Sequence, residues 1–148
     1  MSTSDRINTP VRIPIFDGHN DTLLSLAESG RSFFCRSDEG HVDLPRAREG
    51  GLVGGFFAVW LRDPETVPPQ GETLDPAQVT RRYADVATMP PMMELSYAQQ
   101  AAIAAMARLF RLERDADGAA RVARTVAELR ECVATGCFGL VLHIEGAE

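Results

Sequence analysis

Two short stretches of this chain hold side chains with metal-binding chemistry. His19-Asn20-Asp21 places an imidazole and a carboxylate two residues apart, and His143-Ile144-Glu145 repeats that pattern near the other end. Neutral imidazole nitrogens and carboxylate oxygens bind zinc at about 2.0–2.2 Å. Alternate residues of an extended chain face the same side, so His19 and Asp21 can approach one ion together. Asp17 shares that side and could orient His19, as ligand imidazoles commonly require. Glu145 has two carboxylate oxygens, enough to bridge two metals. Each residue also has an ordinary reading. Asp17 could cap a turn, His19 could be a plain polar residue, Glu145 could cap a helix, and His143 could be a hydrogen-bonded interior residue. Two strand ends with ligand-type residues raise the prospect of one joint site, although three donors do not fill a two-metal centre.

The elements that must position these residues follow from hydrophobic pattern and punctuation. Val11 to Phe16 is β-prone, and Pro14 is tolerable near a strand start. Thr22 to Glu28 carries Leu23, Leu24 and Leu26 and stops near Gly30, which predicts a short helix. A polar loop is expected up to Pro45. Leu52 to Leu61 is almost continuously apolar, the pattern of a strand buried on both faces in a parallel sheet. Within it, Gly54 and Gly55 mark a close backbone approach or a bulge, and Phe56, Phe57 and Trp60 are read as core, with Trp60 as an alternative pocket wall. Residues 63–76 read as a loop and 77–86 as a helix broken by Met89-Pro90-Pro91. The strongest helix is expected within Glu94–Arg114, with Ile103, Met106, Leu109, Phe110 and Leu112 on its apolar side. Ala120–Arg124 is a weak strand candidate. Thr125 and Glu128 form a capping-box pattern that opens a helix ending at Gly136. The final strand is Phe138–Ile144. Strands alternating with helices imply a parallel α/β fold. Residues 1–12 are read as a flexible tail and 13–148 as the folded unit. Because the last strand is followed by no covering helix, the chain is expected to be a fragment.

Composition narrows the function classes. The 148 residues include 15 Lys and Arg against 21 Asp and Glu, a formal charge of −6. Nucleic acids and anionic membranes require a concentrated basic face, so neither is expected as a partner. Three cysteines, Cys35, Cys132 and Cys137, make no closed disulfide framework and read as thiols of a reducing compartment. No signal-peptide pattern and no apolar stretch of membrane-spanning length is visible. A cytoplasmic protein is expected.

Three blocks resemble the membrane (renal) dipeptidase family of zinc peptidases. Phe16-Asp17-Gly18-His19-Asn20-Asp21 is similar to its opening motif. His41-Val42-Asp43-Leu44-Pro45-Arg46 with Gly50 and Gly51, followed by Val53-Gly54-Gly55-Phe56-Phe57-Ala58-Val59-Trp60, resembles its second block. Ile144-Glu145-Gly146 resembles its bridging-glutamate motif. Order and spacing agree from about Ile13 to Glu148. The resemblance implies the N-terminal part of a (β/α)8 TIM barrel of the metal-dependent hydrolase type, incomplete in this chain. It implies two zinc ions (Zn2+) per complete subunit, with His19 and Asp21 on the first and Glu145 bridging both, and a bridging hydroxide that attacks a dipeptide. The family's two further zinc histidines, its carbonyl-assisting histidine and its proton-transferring aspartate would all lie beyond Glu148. His41 matches no ligand position. His143 departs from the apolar residue of mammalian members and is read as an interior barrel residue below the metals, with a supporting contact to Glu145 as the alternative.

The expected activity of the complete protein is therefore hydrolysis of dipeptides to free amino acids, with this chain inactive by itself. A metal-dependent amidohydrolase acting on cyclic amides or lactams is the competing enzyme, and HxD in place of HxH on the first strand favours the dipeptidase. A non-catalytic fragment or interaction protein is the third reading. An open half-barrel would expose strand edges, so the isolated chain is expected to aggregate or to form a homo-oligomer.

Overall fold

The computed structural model describes residues 13–61 and 92–145. The tail read over 1–12, the loop over 63–76 and the helix over 77–86 lie outside the described residues. Strand β1 (Ile15–Asn20) leads into helix α1 (Thr22–Ser29). Helix α2 (Leu44–Gly50) precedes β2 (Leu52–Val59). Then come the long helix α3 (Leu95–Asp115), the short β3 (Ala120–Val122), α4 (Val126–Thr135) and β4 (Phe138–Ile144). The four strands form one parallel sheet in the order β1-β2-β4-β3.

The two helices of the first crossover follow from chain chemistry. Gly30 ends α1 in the left-handed conformation at φ 67°, and its N–H reaches the Leu26 carbonyl. Asp43 caps α2, Pro45 occupies its first turn, and Gly51 at φ 81° ends it. The stretch before Pro45 is thus a loop, as read, but a two-turn helix follows it that the hydrophobic pattern did not reveal. Leu23, Leu26, Phe33, Leu44, Phe57, Leu109, Leu112, Phe138 and Leu140 form the core between these helices and one face of the sheet. Phe33, Phe57 and Phe138 pack edge to face there, with centroids 5.9–6.3 Å apart. Leu109 and Leu112 of α3 are buried as expected, but Ile103 and Phe110 are exposed.

The order of β3 and β4 carries a geometric consequence. From β1 to β2 to β4 the chain advances across the sheet in one direction; from β3 to β4 it steps back. Parallel crossovers are right-handed, so a reversed step places its helix on the opposite face. Helix α4 accordingly contributes nothing to the main core. It lies against Gly139, where an added Cβ would stand 2.8 Å from Leu129 Cδ1. Gly54 is a second close approach: a Cβ there would meet the Gly139 carbonyl and the Phe16 ring. The glycines of β2 therefore mark tight backbone contact, as their position in an apolar run suggested. The register between β1 and β2 also shifts at two points.

Phe57 is fully buried, but Phe56 and Trp60, both read as core, are 37% exposed. They lie on the face of the sheet away from the main core. A strand shows alternate residues to opposite faces, so the near-continuous apolar run from Leu52 feeds two different environments. The same exposed face carries Phe16, whose ring meets Phe56 at 5.6 Å, and His143, whose ring lies 6.1 Å from Phe56. Helices α1, α2 and α3 pack on one face of a parallel sheet, with α4 on the other, and the strands end together at one rim. This is the arrangement of part of a (β/α) barrel.

Candidate metal centre

His19, Asp21 and Glu145 meet at the C-terminal rim of the sheet. Parallel strands end together there, and helix starts and loops surround the strand ends, which is where such folds hold their chemistry. His19 is the penultimate residue of β1 and Asp21 follows that strand directly. Glu145 follows β4, and its backbone N–H extends the ladder by bonding the Val59 carbonyl at 3.3 Å. The two supporting strands are not neighbours, since β2 runs between them. At about 4.8 Å per strand, the side chains must span roughly 10 Å of backbone separation. An imidazole from one side and a long glutamate from the other close that gap. His19 Nε2 lies 3.5 Å from Asp21 Oδ1 and 3.6 Å from Glu145 Oε2.

Asp21 does not stay on the extended strand, as the HxD spacing alone suggested. It is the N-cap residue of α1, with φ −94° and ψ 30°, yet its side chain makes no cap hydrogen bond. The carboxylate turns toward His19 instead. Asn20 takes over part of the local work. Its side-chain oxygen accepts from the buried Thr22 N–H at 3.2 Å, and its amide donates to Asp17 at 2.7 Å. Asp17 also accepts from the His19 backbone N–H at 3.4 Å. Asp17 thus fixes the backbone that carries His19 and behaves as a turn residue. Asn20 was not singled out from the sequence, although an amide between two ligand-type residues at a strand end was the available signal.

His143 lies on the exposed face of β4, half-buried, with its ring 5.6 Å from the His19 ring at an interplanar angle of 81°. Ala58 pairs with His143 in register. Its small side chain leaves room for the two rings to meet across β2. His143 is therefore a neighbour of His19 on the inner face. The reading of His143 as an interior residue below the cluster fits this contact better than a role beside Glu145. His41 is exposed and belongs to no cluster of metal-type groups among the described residues.

The donor set fits a cation. One ligand atom from each of His19, Asp21 and Glu145 lies within 4.8 Å of the other two. Ligands about 2.1 Å from a tetrahedral ion stand about 3.4 Å apart, close to the two distances from His19 Nε2. All three side chains are 43–58% exposed, so an ion has open access. Two carboxylates held close together are mutually repulsive, and a cation between them relieves that repulsion.

The model of the membrane dipeptidase family, peptidase family M19, matches residues 6–148. The chain belongs to the M19 family. M19 relatives with solved structures share the described fold. The metallopeptidase described as dipeptidase AC is 38% identical with a TM-score of 0.70; the match covers 93% of this chain and 36% of that one. A metallopeptidase from Rhodobacter sphaeroides, solved with a phosphinate mimic of the dipeptide L-Ala-D-Ala, is 35% identical with a TM-score of 0.72, covering 93% and 39%. An uncharacterized protein in the PQQ-III 3′ region of Acinetobacter calcoaceticus is 28% identical over 144 residues, covering 94% of this chain and 42% of that protein. This M19 chain thus spans about two fifths of the length of these relatives, and its sheet is part of a TIM-barrel-type fold.

Proposed function

We propose that the complete protein is a zinc-dependent dipeptidase, and that His19, Asp21 and Glu145 are its metal ligands on this chain. The observation that carries this reading is the helix-capping position of Asp21. Its carboxylate forgoes a local hydrogen bond and faces an imidazole and a second carboxylate drawn from another strand. Zinc held by these residues, two ions per complete subunit, would supply Lewis acidity for activating water and a peptide carbonyl.

The chain's own residues do the positioning. His19 presents Nε2 toward Asp21 and Glu145, while Asp17 and Asn20 fix the backbone on either side of it. Asp21 and Glu145 supply negative charge that offsets a dication's charge. Glu145 offers two carboxylate oxygens at the strand tip, one of them facing His19, and would hold both ions. Trp60, at the exit of β2 and 37% exposed, flanks the rim where a dipeptide would sit. The dipeptide mimic bound by the Rhodobacter sphaeroides relative supports this substrate class.

Among the described residues only three donors gather at the rim. We therefore propose that this chain alone hydrolyses dipeptides far more slowly than the extended protein. No helix among the described residues is long and apolar enough to cross a membrane; a cytoplasmic location remains part of the proposal. The test is hydrolysis of L-Ala-D-Ala by the extended protein with zinc restored after chelation. Zinc-dependent release of free alanine supports the reading. Turnover of a lactam or cyclic amide without dipeptide turnover would assign the site to the competing amidohydrolase class.

A further inference from the structure

Cys132 and Cys137 are set side by side by the way α4 ends. Cys132 lies in the last turn of the helix, and Gly136 follows it in the left-handed conformation at φ 74°. A left-handed glycine at a helix end folds the chain back, so the residue after it meets the side chain one turn earlier. Here those two residues are Cys137 and Cys132. Both line the same cavity of about 370 Å³, together with Glu113, Ala120, Arg121 and Glu131. Cys132 is 1% exposed and packs toward Gly139, whereas Cys137 is half-buried.

We propose that Cys132 and Cys137 are a redox-active pair that closes reversibly to an intramolecular disulfide by exchange with a low-molecular-weight disulfide such as oxidised glutathione. The roles of the two sulfurs differ. Burial pushes the Cys132 thiol above its ordinary pKa, and the neighbouring Cys137 adds to the rise. Cys137 is the more accessible sulfur and makes the first attack as its thiolate. Its Sγ bonds to one glutathione sulfur, the glutathione S–S bond breaks, and one glutathione leaves as a thiolate. Cys132, deprotonated in turn, attacks Cys137 Sγ and expels the second glutathione thiolate. The two protons lost by the cysteines end on the two glutathione thiols. The protein pair loses two electrons, and glutathione disulfide gains them. This site is separate from the rim cluster, because it lies at the start of β4 and Glu145 lies beyond its end.

The test treats the native full chain with oxidised glutathione, blocks remaining thiols, and maps peptides by mass spectrometry. The expected product is a chain with Cys132 and Cys137 cross-linked to each other, two hydrogens lighter, and with no lasting glutathione on either. Exposed Cys35, lacking a partner thiol, should keep glutathione as a mixed disulfide. Dithiothreitol should restore all three thiols. In Cys132→Ser the first step should still occur, so glutathione should accumulate on Cys137 several-fold above the wild-type level. Stable glutathione on Cys137 of the wild type would overturn the proposal. So would two unreacted thiols under conditions that modify Cys35. The wild-type measurement decides by itself if the variant fails to fold.

Discussion

Asp21 and Asp43 both stand at the N-terminus of a helix, and their surroundings differ in almost every respect that matters for a charge. Asp43 is fully buried. It accepts from the Arg46 N–H at 2.9 Å, the Ser37 N–H at 3.3 Å and the Arg46 guanidinium. Burial alone would raise its pKa, but these hydrogen bonds and the Arg46 charge outweigh it and hold the carboxyl below its ordinary value. Asp21 is 58% exposed, makes no cap bond, and faces His19 near a second carboxylate. A satisfied aspartate holds a fold together. One that leaves its cap unmade forgoes about 0.5–2 kcal/mol of local stability, and at Asp21 that carboxylate is free to bind something else. Residue type alone does not separate the two; the presence or absence of local donors does.

The comparison can be broken most forcefully at Glu145. In the extended protein, Glu145→Gln should lower dipeptide turnover by roughly a hundredfold or more, because even supporting partners of metal ligands are worth about 10–100-fold. Folding should be nearly unaffected, since the side chain is exposed. Steady-state kinetics beside thermal unfolding checks both halves. At Asp43 the pattern should invert. Asp43→Ala removes a cap and strands three donors, and should cost roughly 2–4 kcal/mol in denaturant unfolding. Any folded fraction should keep its metal affinity.

The same contrast has a pH form. Because the folded carboxyl of Asp43 titrates below its unfolded value, its contribution is fully present above about pH 4. It is lost as pH falls through the folded pKa. Acid unfolding of Asp43→Asn should therefore lack that component, as unfolding curves collected at a series of pH values would show. A smaller effect is expected at His143. Exchange for leucine removes a ring packed on His19 and Phe56, and should cost about 1 kcal/mol of stability while lowering zinc content less than any ligand change. Metal analysis paired with unfolding of His143→Leu checks this.

Much of this arrangement is legible in the sequence. The apolar run of β2, its paired glycines, the capping box of α4 and the apolar stretch of β4 each state a local preference that the fold obeys. The meeting of His19, Asp21 and Glu145 is legible because both ligand-type stretches end a strand and three blocks keep the family order. Helix α2 escaped because seven residues are too few for a 3.6-residue period to show. Its Asp43-Leu44-Pro45 start and Gly51 stop were the remaining signals. The place of β3 at the sheet edge, beyond β4, depends on crossover handedness and pairing partners, which no local pattern encodes. The exposure of Phe56 and Trp60 has a similar cause, since an apolar run does not reveal which face the rest of the molecule covers. The partners of Asp17 were equally hidden, because the bend after β1 brings the Asn20 side-chain amide and the His19 N–H onto its carboxylate.

The central claim is that Asp21, His19 and Glu145 together hold a metal ion, and zinc titration by calorimetry tests it most directly. Chelator-treated native chain should bind zinc, and His19→Ala, Asp21→Asn and Glu145→Gln should each abolish or sharply weaken that binding. Asparagine caps helices as well as aspartate does, so Asp21→Asn should lose zinc without losing stability. In the metal-free state it should even gain slightly, because one of two neighbouring carboxylate charges is gone. Unchanged zinc affinity in a folded Asp21→Asn chain, or loss of zinc only through unfolding, would contradict the account.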